Sequence, residues 1–254
     1  MLRLQQIALV AEELRPVIKD LTEVFDIEVC YVDPGVGHFG LENSLMPIGN
    51  QLLEVVAPIE ENTAGGRYLA RRGGDGGYMV ITQCDDLERR RQRAGELGIR
   101  IAHQFEHDGF QNMQLHPKDT GGSFFETDRQ LDGGQPDGPW TPAGPNWQRS
   151  RRTDVVSAIL AAEIQSPDPE PLAQRWSEIA EIPLRSGEHG LLELPLDNAT
   201  VRFVTCSDGR PEGLGGIDLK AVNAGRALEA AERKGSRISD DTILICGTRF
   251  RLVS

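Results

Sequence analysis

Positive charge is scarce in this 254-residue sequence: 27 Lys and Arg stand against 39 Asp and Glu, a formal net charge of -12. A phosphate backbone is repelled by such a chain unless a local basic patch overrides the balance, so nucleic acid is not an expected partner. Long apolar runs are also missing. Nothing approaches the roughly 18 unbroken apolar residues of a membrane helix, and MLRLQQIALVAEEL has no basic segment ahead of an apolar core. The expectation is a soluble, cytoplasmic protein with no membrane contact. Cysteine is limited to Cys30, Cys84, Cys206 and Cys246, which lie far apart without the CxxC spacing of a zinc site. Each sits in or beside an apolar run, the setting of a reduced core residue.

What the sequence does contain is a repeated pattern. Leu2 to Ala11 reads as a strand, and Leu14, Val17, Ile18, Leu21, Val24 and Phe25 follow at helical spacing. Three further segments, IEVCYV (27–32), NSLMPI and QLLEVVAP, are apolar and separated by Gly, Asn and Pro, so the unit reads βαβββ. From Gly76 the order restarts with GGYMVITQ, the charged helix DDLERRRQRAGELG, IRIAHQF, and then MQLHP and SFFETD joined by the turn KDTGG. A third and a fourth unit follow residue 152, from VVSAILAAEI to ATVRFVTC and from GGIDLKAV to GTRFRLV. Units this small cannot bury a sheet alone and should close in pairs.

Between the pairs, LDGGQPDGPWTPAGPNWQRSRR resists both helix and sheet. The expected organisation is therefore a first domain over 1–130, a linker over 131–152 and a second domain over 153–254. Trp140 and Trp147 are expected to clamp the linker onto a domain face. Arg89, Arg90, Arg91 and Arg93 read as a solvated helix face.

Several segments resemble the vicinal-oxygen-chelate superfamily, which includes glyoxalase I, methylmalonyl-CoA epimerase, extradiol dioxygenases and bleomycin-type resistance proteins. LHPKDTGGSFFE, Leu115 to Glu126, is similar to the closing hairpin of the epimerases, whose strand carries a metal-ligand glutamate. QQIALVA resembles the opening strand, and QLLEVVAP the strand with the second ligand. GHFGLENSLMPIGNQLLEVVAP also looks like a glyoxalase-like protein. The resemblance implies an α+β fold of tandem βαβββ modules pairing into two glyoxalase-like domains, each with a curved mixed sheet around a cleft. It also implies a divalent metal (Mn, Co, Ni, Zn or Mg) held by four side chains. Carried over, those positions are Gln6, Glu54, Met79 and Glu126, with Met79 where the family has histidine. A thioether is a soft, weak donor, poorly matched to such ions among oxygen ligands.

The same residues attract notice without the family. Glu54 alternates with Leu52 and Val56, and Glu126 with Phe124, so each carboxylate shares a strand face with apolar neighbours. Buried there, two carboxylates would hold a cation or share a proton; otherwise each faces solvent or pairs with an arginine. Glu42 resembles the position of the epimerases' proton-transfer glutamate. His38, in a glycine-rich loop, is a candidate base or ligand, against the alternative of a surface histidine. Tyr78, expected on the strand face opposite Met79, and His116, in the hairpin turn, complete the candidate substrate contacts. In the second half the matching ligand positions are approximately Ala158, Arg202, Gly216 and Arg251. Two arginines in place of carboxylates cannot bind a cation; they could hold a carboxylate or phosphate, but that half reads as a degenerate, structural copy.

The function these readings favour is a small-molecule lyase, isomerase or epimerase. Glu54, Glu126 or Glu42 would move a proton next to a carbonyl, with or without a divalent metal. The alternative is a metal-free protein that binds or sequesters a small molecule. A chain with both paired domains is expected as a monomer or homodimer.

Overall fold

A computed structural model describes residues 1–254, the side chain of His189 excepted. The first half begins with strand β1 (Leu2–Val10), helix α1 (Leu14–Phe25), strands β2 (Leu41–Ile48) and β3 (Gln51–Pro58), and helix α2 (Ala64–Arg72). It continues with β4 (Gly76–Cys84), α3 (Leu87–Glu96), β5 (Ile101–His107), β6 (Phe110–Leu115), the short α4 (Pro117–Thr120) and β7 (Phe124–Gln130). The second half runs β8 (Val156–Ser166), α5 (Pro169–Ala180), β9 (Arg185–Ser186), β10 (Leu192–Pro195), β11 (Thr200–Thr205) and β12 (Gly213–Ala221). It closes with α6 (Ala224–Lys234), β13 (Thr242–Ile245) and β14 (Thr248–Val253). No helix is long and apolar enough to cross a membrane.

The strands form two seven-stranded mixed sheets, ordered β2-β3-β1-β4-β7-β6-β5 and β13-β14-β12-β8-β11-β10-β9. Each is centred on an antiparallel pair, β1 with β4 and β8 with β12, and each central strand has a parallel outer neighbour. Central strands with parallel partners are covered on both faces, so β1 and β4 are buried throughout and read as nearly continuous apolar runs. α1 forms because Leu14, Val17, Leu21, Val24 and Phe25 make one apolar stripe, and it ends where Asp26 turns left-handed at φ 53°. The side chain of Asp86 caps α3 by accepting from the Arg89 N–H.

Three expectations are corrected. Residues 27–32 form no strand: Tyr31 alone makes a bridge, to Leu45, and the chain then enters a 3-10 turn over Pro34–Phe39. Pro34 and four glycines from Gly35 to Gly49 favour turns over pairing there. Helix α2 was not foreseen, because its sequence AGGRYLARR opens with two glycines; Thr63 caps it and Gly73, at φ 78°, ends it. The arginine run of α3 is not simply solvated. Arg90 donates to the Ala180 carbonyl at 2.7 Å and Arg93 to the Glu178 carbonyl at 2.9 Å, while Arg89 pairs with Glu181. Carbonyls at the end of a helix lack internal partners, and these guanidinium groups supply them.

One continuous apolar core lies between the two sheets. Phe125 stacks on Trp176 at 4.7 Å, and Phe25 lies 5.1 Å from Phe250. The halves also exchange matching hydrogen bonds at their bulges. Asn198 bonds both the N–H and the carbonyl of Leu4, and Gln51 bonds both those groups of Ile159. A bulge leaves backbone groups unpaired, and each amide side chain satisfies two of them. Gly77 sits where β4 and β12 approach; a Cβ there would lie 2.5 Å from the Leu214 carbonyl oxygen.

All four cysteines are unpaired; Cys84 and Cys246 are buried, and Cys30 and Cys206 half-buried.

Candidate functional site

The face of the first sheet turned away from the shared core carries the polar groups. Strand alternation puts Gln6 on β1, Asn43 on β2, Glu54 on β3, Asn112 and Gln114 on β6, and Glu126 and Asp128 on β7 on this face. A second apolar cluster surrounds them, including Ala8, Leu45, Leu52, Phe110 and Ile81. Its lid is the 131–152 segment, whose Trp140 and Trp147 are almost fully buried. The tryptophans thus pack the segment onto the sheet. Arg3 ties down its start, donating to Gln83 and to the carbonyls of Gly133 and Gln135.

Beneath the lid the polar side chains form two groups. In the first, Glu54 accepts from Gln6 Nε2 at 2.8 Å and from Asn43 Nδ2 at 2.6 Å, and Gln6 Oε1 accepts from the indole of Trp140 at 3.0 Å. Burial pushes Glu54 up to about 7; the Asn43 and Gln6 bonds oppose the shift, and the charge of Glu126 adds to it. In the second group, Asn112 donates to Asp128 Oδ1 at 2.9 Å and Gln114 to Glu126 Oε2 at 3.2 Å. Burial raises both Glu126 and Asp128, and the charge of Glu126 drives Asp128 well above the ordinary carboxylate range. Asp128 Oδ2 is buried without a hydrogen-bond partner, and burial beside a second carboxyl favours the protonated form of the pair.

The proposed ligand positions are thus neighbours that do not form a metal site. No cluster of His, Cys, Asp and Glu suited to a metal occurs among the described residues. The donor set does not fit a cation either: both Glu54 oxygens face amide N–H groups, and Gln6 Oε1 faces an indole N–H. Met79 sits at the position expected for histidine, its sulfur 3.8 Å from the Gln114 amide nitrogen. A divalent ion would have to displace four N–H donors and accept a thioether.

The remaining candidates fall elsewhere. Glu42 is exposed on β2, and His38 is exposed in the 3-10 turn. His116 caps α4, its Nδ1 accepting from the Lys118 N–H beside Arg100, so its acceptor nitrogen is committed to the turn. Tyr78 does not oppose Met79. A bulge between Ala8 and Leu9 shifts the register of β4, and Tyr78 packs in the same cluster as Met79, 4.9 Å from the rings of Tyr68 and Phe124. Sequence reasoning missed Asn43, Asn112, Asp128 and Gln114. Asp128 was accessible by alternation from Glu126, whereas the other three required cross-strand register.

An open groove of about 830 Å³ includes Trp140 in its lining but none of the buried carboxylates. Its walls include Tyr31, Phe105, Phe110, Trp140 and Trp147, with Phe110 edge-on to Trp140 at 5.2 Å.

The second sheet has a different chemistry on its open face. Register equates Arg202 with Glu54, Gly216 with Met79 and Arg251 with Glu126. The position of Gln6 falls on Ala161, correcting the expected Ala158. Arg202 binds Asp218 at 2.9 Å and Glu163 at 3.0 Å, Arg249 binds Glu163 and Asp208, and Arg251 binds Asp218. Burial raises Asp218, but the bonds from Arg251 and Arg202 outweigh it and hold the carboxyl below its usual range. Arg202, Arg249 and Arg251, each paired with a carboxylate, line a cavity of about 170 Å³ together with Glu163, Glu188, Glu193 and Asp218, and among the described residues no unpaired arginine lines it to hold an anion.

A family model described as a glyoxalase-like domain matches residues 9–180. Among solved structures, a hypothetical protein from Staphylococcus aureus superposes with a TM-score of 0.69 at 13% identity. The match covers 100% of this chain and 99% of that one. At that identity the likeness is one of fold. A hypothetical protein from Bacillus halodurans gives 0.47 at 18% identity, covering 53% of this chain and 98% of its own. A Streptomyces coelicolor methylmalonyl-CoA epimerase in complex with 2-nitronate-propionyl-CoA gives 0.46 at 19%, covering 50% and 96%. None of the curated proteins matches the chain in sequence.

Proposed function

Because the chain belongs to the glyoxalase-like domain family of the vicinal-oxygen-chelate superfamily, we propose that it is a metal-independent small-molecule binding protein. Residues 1–130 would form the binding unit, 131–152 its aromatic cover and 153–254 a degenerate supporting copy. The observation that carries this reading is the groove of about 830 Å³ walled by Tyr31, Phe105, Phe110 and Trp140. Its volume lies in the range of small-molecule sites, and its surface is mostly apolar. The buried carboxylates, by contrast, do not line the groove, and both Glu54 oxygens are engaged by amides.

The test is titration of a neutral aromatic probe, 2-naphthol, followed by calorimetry. Binding should be saturable and weaken about tenfold or more in Tyr31→Ala/Phe105→Ala, a loss of the size expected for removing aromatic walls. Glu54→Gln should leave it unchanged. No saturable binding by the unaltered protein rejects the proposal.

A second reading is favoured by one feature, the position of Glu54 near 7. A base so poised is suited to lyase, isomerase or epimerase chemistry at neutral pH. Glu54 would take a proton next to a carbonyl, and the Glu126 and Asp128 pair would return one, after the substrate had displaced Trp140. Deuterium incorporation into pyruvate in D2O, read by NMR and abolished by Glu54→Gln, supports this reading. Its absence in both proteins counts against it.

A further inference from the structure

Resting on the groove being a ligand site, we infer that its ligand is an aromatic cation bearing hydrogen-bond donors. Two independent features of the lining lead there. The first is charge. Asp33 and Asp108 border the groove, and no lysine or arginine lines it among the described residues. Asp33 is half-buried beside Tyr31, its Oδ1 engaged by the Gly35 N–H at 2.8 Å. Asp108 sits at the tip of the β5–β6 hairpin next to His107. Aromatic faces attract cations through their negative π-surfaces, and flanking carboxylates add to that attraction.

The second feature is a shortage of donors. Four of the lining residues, Pro34, Pro139, Pro142 and Pro145, have no backbone N–H. Four side-chain donors of the wall are committed inward, whereas the Tyr31 hydroxyl and the Asn146 amide are not, and His107 contacts only Asp108. Trp140 donates to Gln6, Trp147 to the Gly138 carbonyl, the Thr141 hydroxyl to Gln130, and the Gln148 amide to the Asp137 carbonyl. Backbone donors are engaged as well: Asp33 to Asn43, Gly35 to Asp33, Thr141 to Gln130 and Gly144 to Thr141. The groove therefore offers carbonyls, carboxylates and the accessible rings of Tyr31 and Phe105. An anionic ligand would meet like charge and few free donors, whereas an ammonium- or amino-substituted ring finds acceptors.

The experiment compares three probes on the full chain by calorimetry at low ionic strength: proflavine, a planar cation with amino donors; 2-naphthol, neutral; and 8-anilinonaphthalene-1-sulfonate, an anion. Proflavine should bind at least tenfold more tightly than the sulfonate and weaken with added salt. Asp33→Asn, which keeps the oxygen that accepts from Gly35, should cost proflavine several-fold and leave 2-naphthol unchanged. Sulfonate binding as tight as proflavine, or proflavine binding indifferent to Asp33→Asn/Asp108→Asn, overturns the inference while 2-naphthol binding preserves the groove as a site. If none of the three binds, the inference and the proposed function fall together.

Discussion

The indole N–H of Trp140 donates to Oε1 of Gln6 at 3.0 Å across 134 positions of sequence. That bond joins the proline- and glycine-rich segment to the polar centre of the first sheet. It also settles the orientation of the Gln6 amide. With Oε1 turned to the indole, Nε2 faces Glu54 and donates to it. A site that would present oxygen to a cation instead presents an N–H to a carboxylate.

Trp140→Ala should therefore cost more than exposure of a surface loop. Loss of a fully buried tryptophan is expected to lower stability by about 3–5 kcal/mol. Trp140→Phe, which keeps most of the packing but leaves Gln6 Oε1 unpaired, should cost about 1–2 kcal/mol. Urea unfolding midpoints measure both, and an unchanged midpoint in Trp140→Ala would mean that the segment is not part of the folded core.

Stability should decline as pH rises through Glu54. Its folded value, about 7, lies above the ordinary 4.5, so the folded state holds this proton more tightly than the unfolded state. The contribution is fully present below about 4.5 and is lost as pH approaches and passes 7. The change attributable to Glu54 across that window is on the order of 3 kcal/mol. Glu54→Gln should flatten the dependence measured by urea unfolding from pH 5 to 8. An unchanged slope in that variant would contradict the assignment.

Asp128→Asn removes one member of a buried carboxyl pair while retaining an oxygen for Asn112. The new amide can donate toward Glu126, so the variant should gain about 1 kcal/mol at pH 8, where the shared proton is hardest to keep. Below pH 5 the two proteins should converge. Greater loss at pH 8 than at pH 5 would show that the pair is not strained by ionisation.

Added Mn, Co, Ni or Zn should leave the thermal midpoint unchanged, and purified protein should contain no stoichiometric metal by elemental analysis. The basis is the amide and indole donors that occupy the cleft oxygens, together with Met79. Metal at one equivalent that disappears in Glu126→Ala would refute this.

In the second half, Asp218→Asn should destabilise by about 3 kcal/mol, because it leaves Arg202 and Arg251 without their common carboxylate in a partly buried setting. A loss indistinguishable from zero would mean that the network is solvent-screened.

The sequence by itself determined the repeated order of strands and helices and the face of Glu54 and Glu126, though not that of Tyr78. Period-two alternation sends Glu54 and Glu126 to the same side as their apolar neighbours, and the repeated strand and helix order points to units closing in pairs, while the structure shows seven strands in each sheet. Tertiary structure decided what those carboxylates touch. The Asn43 amide, the Asp128 partner of Glu126 and the Trp140 indole arrive through cross-strand register, bulges and a long loop, which no local period encodes. Alternation is a property of one strand's backbone, while a hydrogen bond needs two groups brought together by the whole chain. Hence alternation within residues 1–130 placed the two carboxylates on one face, and their partners waited on the rest of the chain, residue 140 included.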